Sequence, residues 1–158
     1  MLSQRQLFLN HVAQTSDAPL ALEIDRAEGV YLYDPSGKKY LDLIAGISVS
    51  SLGHGHPKIV QAVKDQAEKY MHTLVYGEFI ISPQVKLAKW LDNHLPSQLN
   101  CTYFVNSGAE ATEGAMKLAK RFTGRHEIIA MYDAYHGSTQ GALSLMSTPY
   151  FTQAYRPL

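Results

Sequence analysis

The sequence predicts an α/β fold in which a small β-rich segment precedes the first part of a parallel or mixed sheet. Extended apolar runs flank a proline-glycine turn between residues 20 and 50. A strand-helix-strand order then follows between residues 102 and 131. We therefore expect two regions: an N-terminal helix with a small β-rich segment over 1–52, and the incomplete first part of a large domain over 53–158.

The first region is predicted from local signals. Residues 3–14 carry a rough apolar face after Ser3, which can cap a helix. Pro19 ends that helix, and extended runs are expected at 22–24, 30–33 and 39–43. The last two are joined by a turn over 34–37, where Pro35 presets φ and Gly37 accepts a positive φ.

Two helices are expected next, each opened by a proline. Apolar residues recur at helical spacing after Pro57, as far as Met71. Ser82 and Pro83 have the order of a cap and a first helical residue, and Pro96 stops that helix.

From residue 101 onward the pattern changes to strand, loop, helix and strand. Residues 102–105 have the composition of a short buried strand, and 106–122 form a helix that Gly124 terminates. Residues 127–131 are the next strand, which implies a right-handed crossover in a parallel sheet. Because only about two strands of that sheet occur before Leu158, we expect a truncated chain.

Composition excludes several classes of function. The chain is 46% hydrophobic and 18% charged, with zero formal net charge and dispersed basic residues, so neither nucleic acid nor a membrane is an expected partner. Cys101 is the single cysteine, which favours a reducing, cytoplasmic setting.

His54 and His56 have no carboxylate or cysteine at ligand spacing, so we expect them to shape a junction, and we expect no metal site.

The most informative stretch opens the predicted helix at 106–122. Ser107 and Glu110 form a capping box, and small residues from 107 to 109 leave the first backbone N–H groups uncovered at the positive end of the helix dipole. Such a helix start can bind phosphate. The alternative is a cap that holds the helix and binds nothing. Neither a P-loop nor a Rossmann glycine pattern is present.

A second polar stretch, 133–139, follows the next predicted strand and therefore reaches the same edge of the sheet. Tyr135 could stack on a flat heteroaromatic ring. From the residues alone, an equal alternative is that Tyr135 only anchors the loop.

In combination these motifs resemble the class III, ornithine-type aminotransferases, with the acetylornithine and ornithine branch nearest. The resemblance is carried by the run Asn106–Glu113, by Tyr135-His136-Gly137 about 25 residues later, and by 33–42, 46–49 and 52–57 upstream. It implies the pyridoxal-phosphate-dependent transferase fold type I, with the small-domain segment and the first part of the large domain present.

The resemblance also implies roles for particular residues. The N–H groups of Gly108 and Ala109, with Ser107 beside them, would bind the phosphate of pyridoxal phosphate (PLP). Tyr135 would stack on its ring, and His136 would support the loop. Ser138 would contact the substrate, at the position where the acetylornithine branch has an arginine that grips the substrate carboxylate. The serine argues against acetylornithine itself as the substrate.

The intact protein is thus expected to move an amino group from an amine-bearing substrate to a 2-oxo acid, as a homodimer. By the same resemblance, the Schiff-base lysine and the aspartate that pairs with the pyridine nitrogen belong to later regions. We expect no catalytic residue within these 158 and no transamination by this segment alone. The alternative function is a non-catalytic phosphate-binding or structural α/β module.

Overall fold

The computed structural model of the protein describes residues 2–158. The chain forms two compact units, the first ending at Phe79 and the second beginning at Ile80. The domain division expected between residues 52 and 53 stays a prediction. No helix within residues 2–158 has the length and apolarity required to cross a bilayer.

The first unit opens with helix α1 (Gln4–His11), which is capped as predicted. The Ser3 hydroxyl accepts a hydrogen bond from the Gln6 N–H at 3.2 Å, and the Gln6 side chain accepts from the Ser3 N–H at 2.8 Å. This reciprocal pair satisfies two of the N–H groups that a helix start leaves without partners.

A three-stranded antiparallel sheet follows, with strands in the order β1 (Arg26–Glu28), β2 (Tyr31–Tyr33) and β3 (Lys39–Leu41). The predicted runs at 30–33 and 39–43 contain β2 and β3, but the expected strand at 22–24 is wrong. Pairing with β2 begins only at Arg26, opposite Tyr33, and Ala21 has a positive φ of 47° that turns the chain just before Leu22.

The turn between β2 and β3 is confirmed. The Gly37 N–H donates to the Asp34 carbonyl at 2.9 Å, and Gly37 has a φ of +83°. The Asp34 carboxylate accepts from the Ser36 hydroxyl and from the N–H groups of Ser36 and Lys38, and its other oxygen accepts from the Tyr40 hydroxyl. These bonds, the one from the Ser36 side chain foremost, hold the pKa of Asp34 below its ordinary value.

The glycine-rich junction is bonded to the sheet. His54 and Gly29 exchange two backbone hydrogen bonds, at 2.7 and 3.0 Å, and a Cβ on Gly53 would lie 2.9 Å from the Gly29 oxygen. The His54 ring lies 2.7 Å from the carboxylate of Asp42. His54 thus shapes the junction, which leads from the short turn α2 (Ala45–Ser48) into helix α3 (Pro57–Lys69).

The second unit contains helix α4 (Ser82–His94), helix α5 (Gly108–Thr123), two short helices, α6 (Gln140–Ser144) and α7 (Pro149–Thr152), and a 3₁₀ turn over Gln153–Tyr155. Ser82 was expected to be a cap but is the first helical residue, and no side chain caps α4. The predicted stop at Gly124 is confirmed, because this residue adopts the left-handed conformation at the end of α5.

The strands expected at 102–105 and 127–131 are wrong as paired strands. Within residues 2–158 the only sheet is β1–β3, so neither segment has a ladder partner. Tyr103 is 81% exposed, which is contrary to the burial expected of the 102–105 strand, and Ile129 of the second segment is 99% exposed. A strand needs a neighbour for its N–H and C=O groups, and composition cannot supply one. The small core of this unit consists of Ile81, Ala142, Leu143, Met146 and Thr152.

Candidate functional site

The start of α5 is held by two side chains. Ser107, in extended conformation (φ −147°, ψ 161°), accepts a hydrogen bond from the Glu110 N–H at 3.1 Å. The Glu110 carboxylate accepts from the Asn106 N–H at 2.6 Å, where the capping-box prediction placed that bond on Ser107. The loop before the helix is therefore fixed on both sides of Ser107.

Two backbone donors at this helix start remain free. Within residues 2–158, the N–H groups of Gly108 and Ala109 have no hydrogen-bond acceptor. Gly108 is exposed, and no atom lies within 4 Å of the position that a Cβ on it would occupy. These N–H groups stand at the positive end of a 16-residue helix, an arrangement that favours an anion.

The polar loop 133–139 packs against this helix start, although the strands predicted to bring both to one sheet edge are unpaired within residues 2–158. Gly137 approaches Ala109 so closely that a Cβ on Gly137 would lie 2.6 Å from the Ala109 Cβ. The Thr112 hydroxyl lies 3.3 Å from the His136 carbonyl, and it also contacts the Gly108 carbonyl within its own helix at 3.0 Å. Residues 24 and 28 positions apart in the sequence are thereby brought together.

Tyr135 lies on this loop with most of its surface open. Its side chain is 62% exposed, and the edge of its ring meets Phe151 at a centroid distance of 5.7 Å and an interplanar angle of 68°. The Tyr135 hydroxyl lies 2.8 Å from the Ser138 hydroxyl. Ser138, expected to contact substrate, is thus bonded to the tyrosine in this structure.

His136 is half-buried in the loop. Its Nε2 atom is buried and has no hydrogen-bond partner among the residues that the structure describes. An unbonded buried polar atom is rare in native proteins, and it often marks a place where a water or a ligand completes the bonding.

Sequence reasoning missed one residue of the site, Glu113. One of its carboxylate oxygens accepts from the Thr139 hydroxyl at 2.8 Å, the Gly141 N–H at 2.9 Å and the Ala142 N–H at 3.3 Å. These bonds, that from Thr139 foremost, lower the pKa of Glu113, and the charge of Lys117 adds to the effect. The residue could be found only by anticipating that α6 begins against this helix.

The arrangement suits a molecule with an anionic group beside a flat ring. Free N–H groups and a helix dipole offer the anion a partner, and an exposed aromatic ring lies on the adjoining loop. No group of three metal-ligating side chains occurs among residues 2–158.

Comparison with known proteins shows extensive similarity. The family model described as aminotransferase class-III matches residues 12–156. The acetylornithine aminotransferase of Methanopyrus kandleri is 44% identical over 133 residues, which are 83% of this chain and 33% of that protein. The acetylornithine aminotransferase of Archaeoglobus fulgidus is 40% identical over 148 residues, 94% of this chain and 38% of that protein.

Solved structures of aminotransferases are also similar to this chain. The adenosylmethionine-8-amino-7-oxononanoate aminotransferase of Methanocaldococcus jannaschii has a TM-score of 0.89 at 31% identity, over 97% of this chain and 37% of that one. The taurine:2-oxoglutarate aminotransferase of Bifidobacterium kashiwanohense, solved with PLP and glutamate, has a TM-score of 0.76 at 34% identity, over 87% and 31% of the two chains. This chain spans about a third of the length of the proteins that it matches.

Proposed function

This chain belongs to the class-III aminotransferase family, and from that premise we propose that the start of α5 and the loop 133–139 bind PLP in a protein that transfers an amino group to a 2-oxo acid. The observation that carries the proposal is the pair of free N–H groups on Gly108 and Ala109, together with the exposed ring of Tyr135 on the loop that packs against this helix start. The fold of the chain is that of the family, the PLP-dependent transferase fold type I.

The residues present fit this cofactor. Gly108 and Ala109 would donate their N–H groups to the phosphate, with Ser107 beside them, and the helix dipole favours a dianion. The ring of Tyr135 would cover the pyridine ring, and the buried Nε2 of His136 is a polar atom still without a partner in this loop. When bound, PLP supplies an electron sink for the carbon that carries the amino group.

We assign the chemical steps of transamination to other residues. The residues named above bind the cofactor, and we assign no proton transfer to them. We place covalent attachment of PLP and proton transfer in the part of the family's length that this chain does not span, so the 158 residues alone should not transaminate.

The substrate is proposed as an amine-bearing, acetylornithine- or ornithine-like compound, with a 2-oxo acid as acceptor. Relatives named acetylornithine aminotransferase support this class. Ser138 has no charge with which to hold a carboxylate, and its hydroxyl is bonded to Tyr135, so its proposed contact with substrate would be a neutral one.

For assembly and location we propose a cytoplasmic homodimer that needs neither nucleic acid nor a membrane. The dimer is proposed from membership of the class-III aminotransferase family. The single cysteine suits a reducing compartment. Sedimentation of the PLP-bound protein as a stable monomer would refute the dimer.

The phosphate contact is best tested by replacing Gly108 with proline. Proline is favoured at the first position of a helix, and Ser107 already has the extended conformation that a residue before proline needs, so α5 should persist without the Gly108 N–H. A hydrogen bond to a charged group contributes about 1.5–3 kcal/mol, so the Kd for PLP should rise about 10- to 100-fold.

The matched control is Gly108→Ala, which adds a Cβ in open space and keeps the N–H. Measurements on the protein expressed from its natural reading frame would compare the Kd of PLP and the melting temperature. Equal affinity in the proline and alanine variants would place the phosphate elsewhere. A wild-type protein that binds no PLP would favour the non-catalytic α/β module.

A further inference from the structure

We propose that Glu113 is a positioning residue, which holds the loop 133–139 against α5 so that the ring of Tyr135 is correctly presented to the cofactor. The inference rests on the proposed function, because it assigns Glu113 a task toward the same PLP site. Several contacts join one face of α5 to this loop.

That face carries three successive contacts. Residues three and four apart lie on the same side of a helix, so Ala109, Thr112 and Glu113 share one face of α5. Ala109 packs against Gly137, the Thr112 hydroxyl lies against the His136 carbonyl, and Glu113 binds the chain from Thr139 onward. The loop and the phosphate-binding start of α5 are thus parts of one bonded arrangement.

Glu113 supplies the cap that α6 does not provide for itself. Thr139 precedes α6 but makes no capping bond to that helix, and its hydroxyl donates to Glu113 instead. The same carboxylate oxygen accepts from the N–H groups of Gly141 and Ala142, which would otherwise be unbonded at the helix start. A Cβ on Gly141 would lie 2.7 Å from the carboxyl carbon of Glu113, so only glycine permits this approach.

The loop is also fixed at its beginning. The Asp133 N–H donates to the Ser147 hydroxyl at 2.9 Å, and Asp133 has a positive φ of 56°. Between this anchor and Glu113, the Tyr135 side chain packs at a steep angle against the ring of Phe151 and contacts the Ser138 hydroxyl. The direction of its ring therefore depends on both ends of the loop staying in place.

The experiment separates a positioning role from a general structural one by using two ligands. Inorganic phosphate needs only the N–H groups of Gly108 and Ala109, whereas PLP also needs the ring of Tyr135. In the protein expressed from its natural reading frame, Glu113→Ala should raise the Kd of PLP about tenfold and weaken the visible circular dichroism of the bound cofactor. The Ki of inorganic phosphate as a competitor should stay within about twofold, since its donors are untouched.

Two further variants grade the effect. Glu113→Gln keeps an acceptor oxygen but loses the charge, and neutral hydrogen bonds are about half as strong, so the Kd of PLP should rise less than in Glu113→Ala. Thr139→Val removes one of the three bonds and keeps the two from the backbone of α6. Either variant gives the answer if Glu113→Ala does not fold. Glu127→Gln removes an exposed carboxylate of the same unit as a control and should leave both constants unchanged.

The outcomes are distinct. If the variants bind PLP with wild-type affinity and dichroism, or if the constants for PLP and phosphate rise together, Glu113 is not a positioning residue, while the proposed function stands. If the wild-type protein itself binds no PLP, the proposed function fails and this inference fails with it.

Discussion

Two parts of the molecule use carboxylates to bind backbone N–H groups, and they differ in what they leave free. In the β2–β3 turn, the Asp34 carboxylate accepts hydrogen bonds from the N–H groups of Ser36 and Lys38, and these bonds close the loop over residues 34–38. Around the start of α5, the carboxylates of Glu110 and Glu113 accept hydrogen bonds from backbone N–H groups of the adjoining loop and helix. The N–H groups of Gly108 and Ala109, in contrast, have no acceptor within residues 2–158. A carboxylate that organises a loop is therefore common to both, and the free donors distinguish the proposed binding site.

The largest expected effect comes from adding one methyl group to a glycine in each part. Gly137 has a φ of +127° and touches Ala109, so Gly137→Ala should strain the backbone by about 1–3 kcal/mol and push the loop from α5. We expect a lower melting temperature together with a clear loss of PLP affinity.

The matched change in the first unit is Gly53→Ala. Gly53 has a φ of +78°, and its added Cβ would lie 2.9 Å from the Gly29 oxygen, so the melting temperature should fall comparably. The Kd of PLP should not change, because both residues lie in the first unit. Loss of PLP affinity in Gly53→Ala as large as in Gly137→Ala would remove the distinction between the two parts.

A moderate effect is expected at Tyr135. Stacking of aromatic rings contributes about 0.5–1.5 kcal/mol, so Tyr135→Ala should raise the Kd of PLP about two- to tenfold. Tyr135→Phe keeps the ring and its contact with Phe151 and loses only the hydroxyl bond to Ser138, so its Kd should stay near that of the wild type. Equal losses in the two variants, measured by PLP titration, would assign the role to the hydroxyl and overturn stacking.

The features that sequence predicted correctly are those in which nearby residues determine each other's structure. The Ser3 cap, the 34–37 turn and the Gly124 stop each depend on bonds or backbone angles within a few residues. The Ser107 bond to the Glu110 N–H belongs to the same class, which is why the candidate site could be located at all.

The errors have the opposite character. Residues 102–105 and 127–131 have the composition of strands, but pairing depends on a neighbour that no local pattern specifies. Glu113 escaped notice for a related reason, since its partners begin 26 positions later and become visible only when α6 is seen against α5. The site could thus be predicted as two stretches, whereas the residue that joins them could not.

The smallest effect is expected in the turn between β2 and β3, where Asp34 accepts the hydrogen bonds. Hydrogen bonds lower the pKa of Asp34 below the ordinary carboxyl value of 3.8, so the folded state binds this proton less readily than the unfolded chain does. Its contribution to stability is therefore present above that value and is lost as the pH falls through the lower folded pKa. Asp34→Asn cannot titrate, so the difference in melting temperature between wild type and variant should be constant above about pH 5 and should shrink between about pH 4 and pH 2. A constant difference over that range, or a carboxyl pKa at the ordinary value by NMR titration, would show that the turn does not depend on the charge of Asp34.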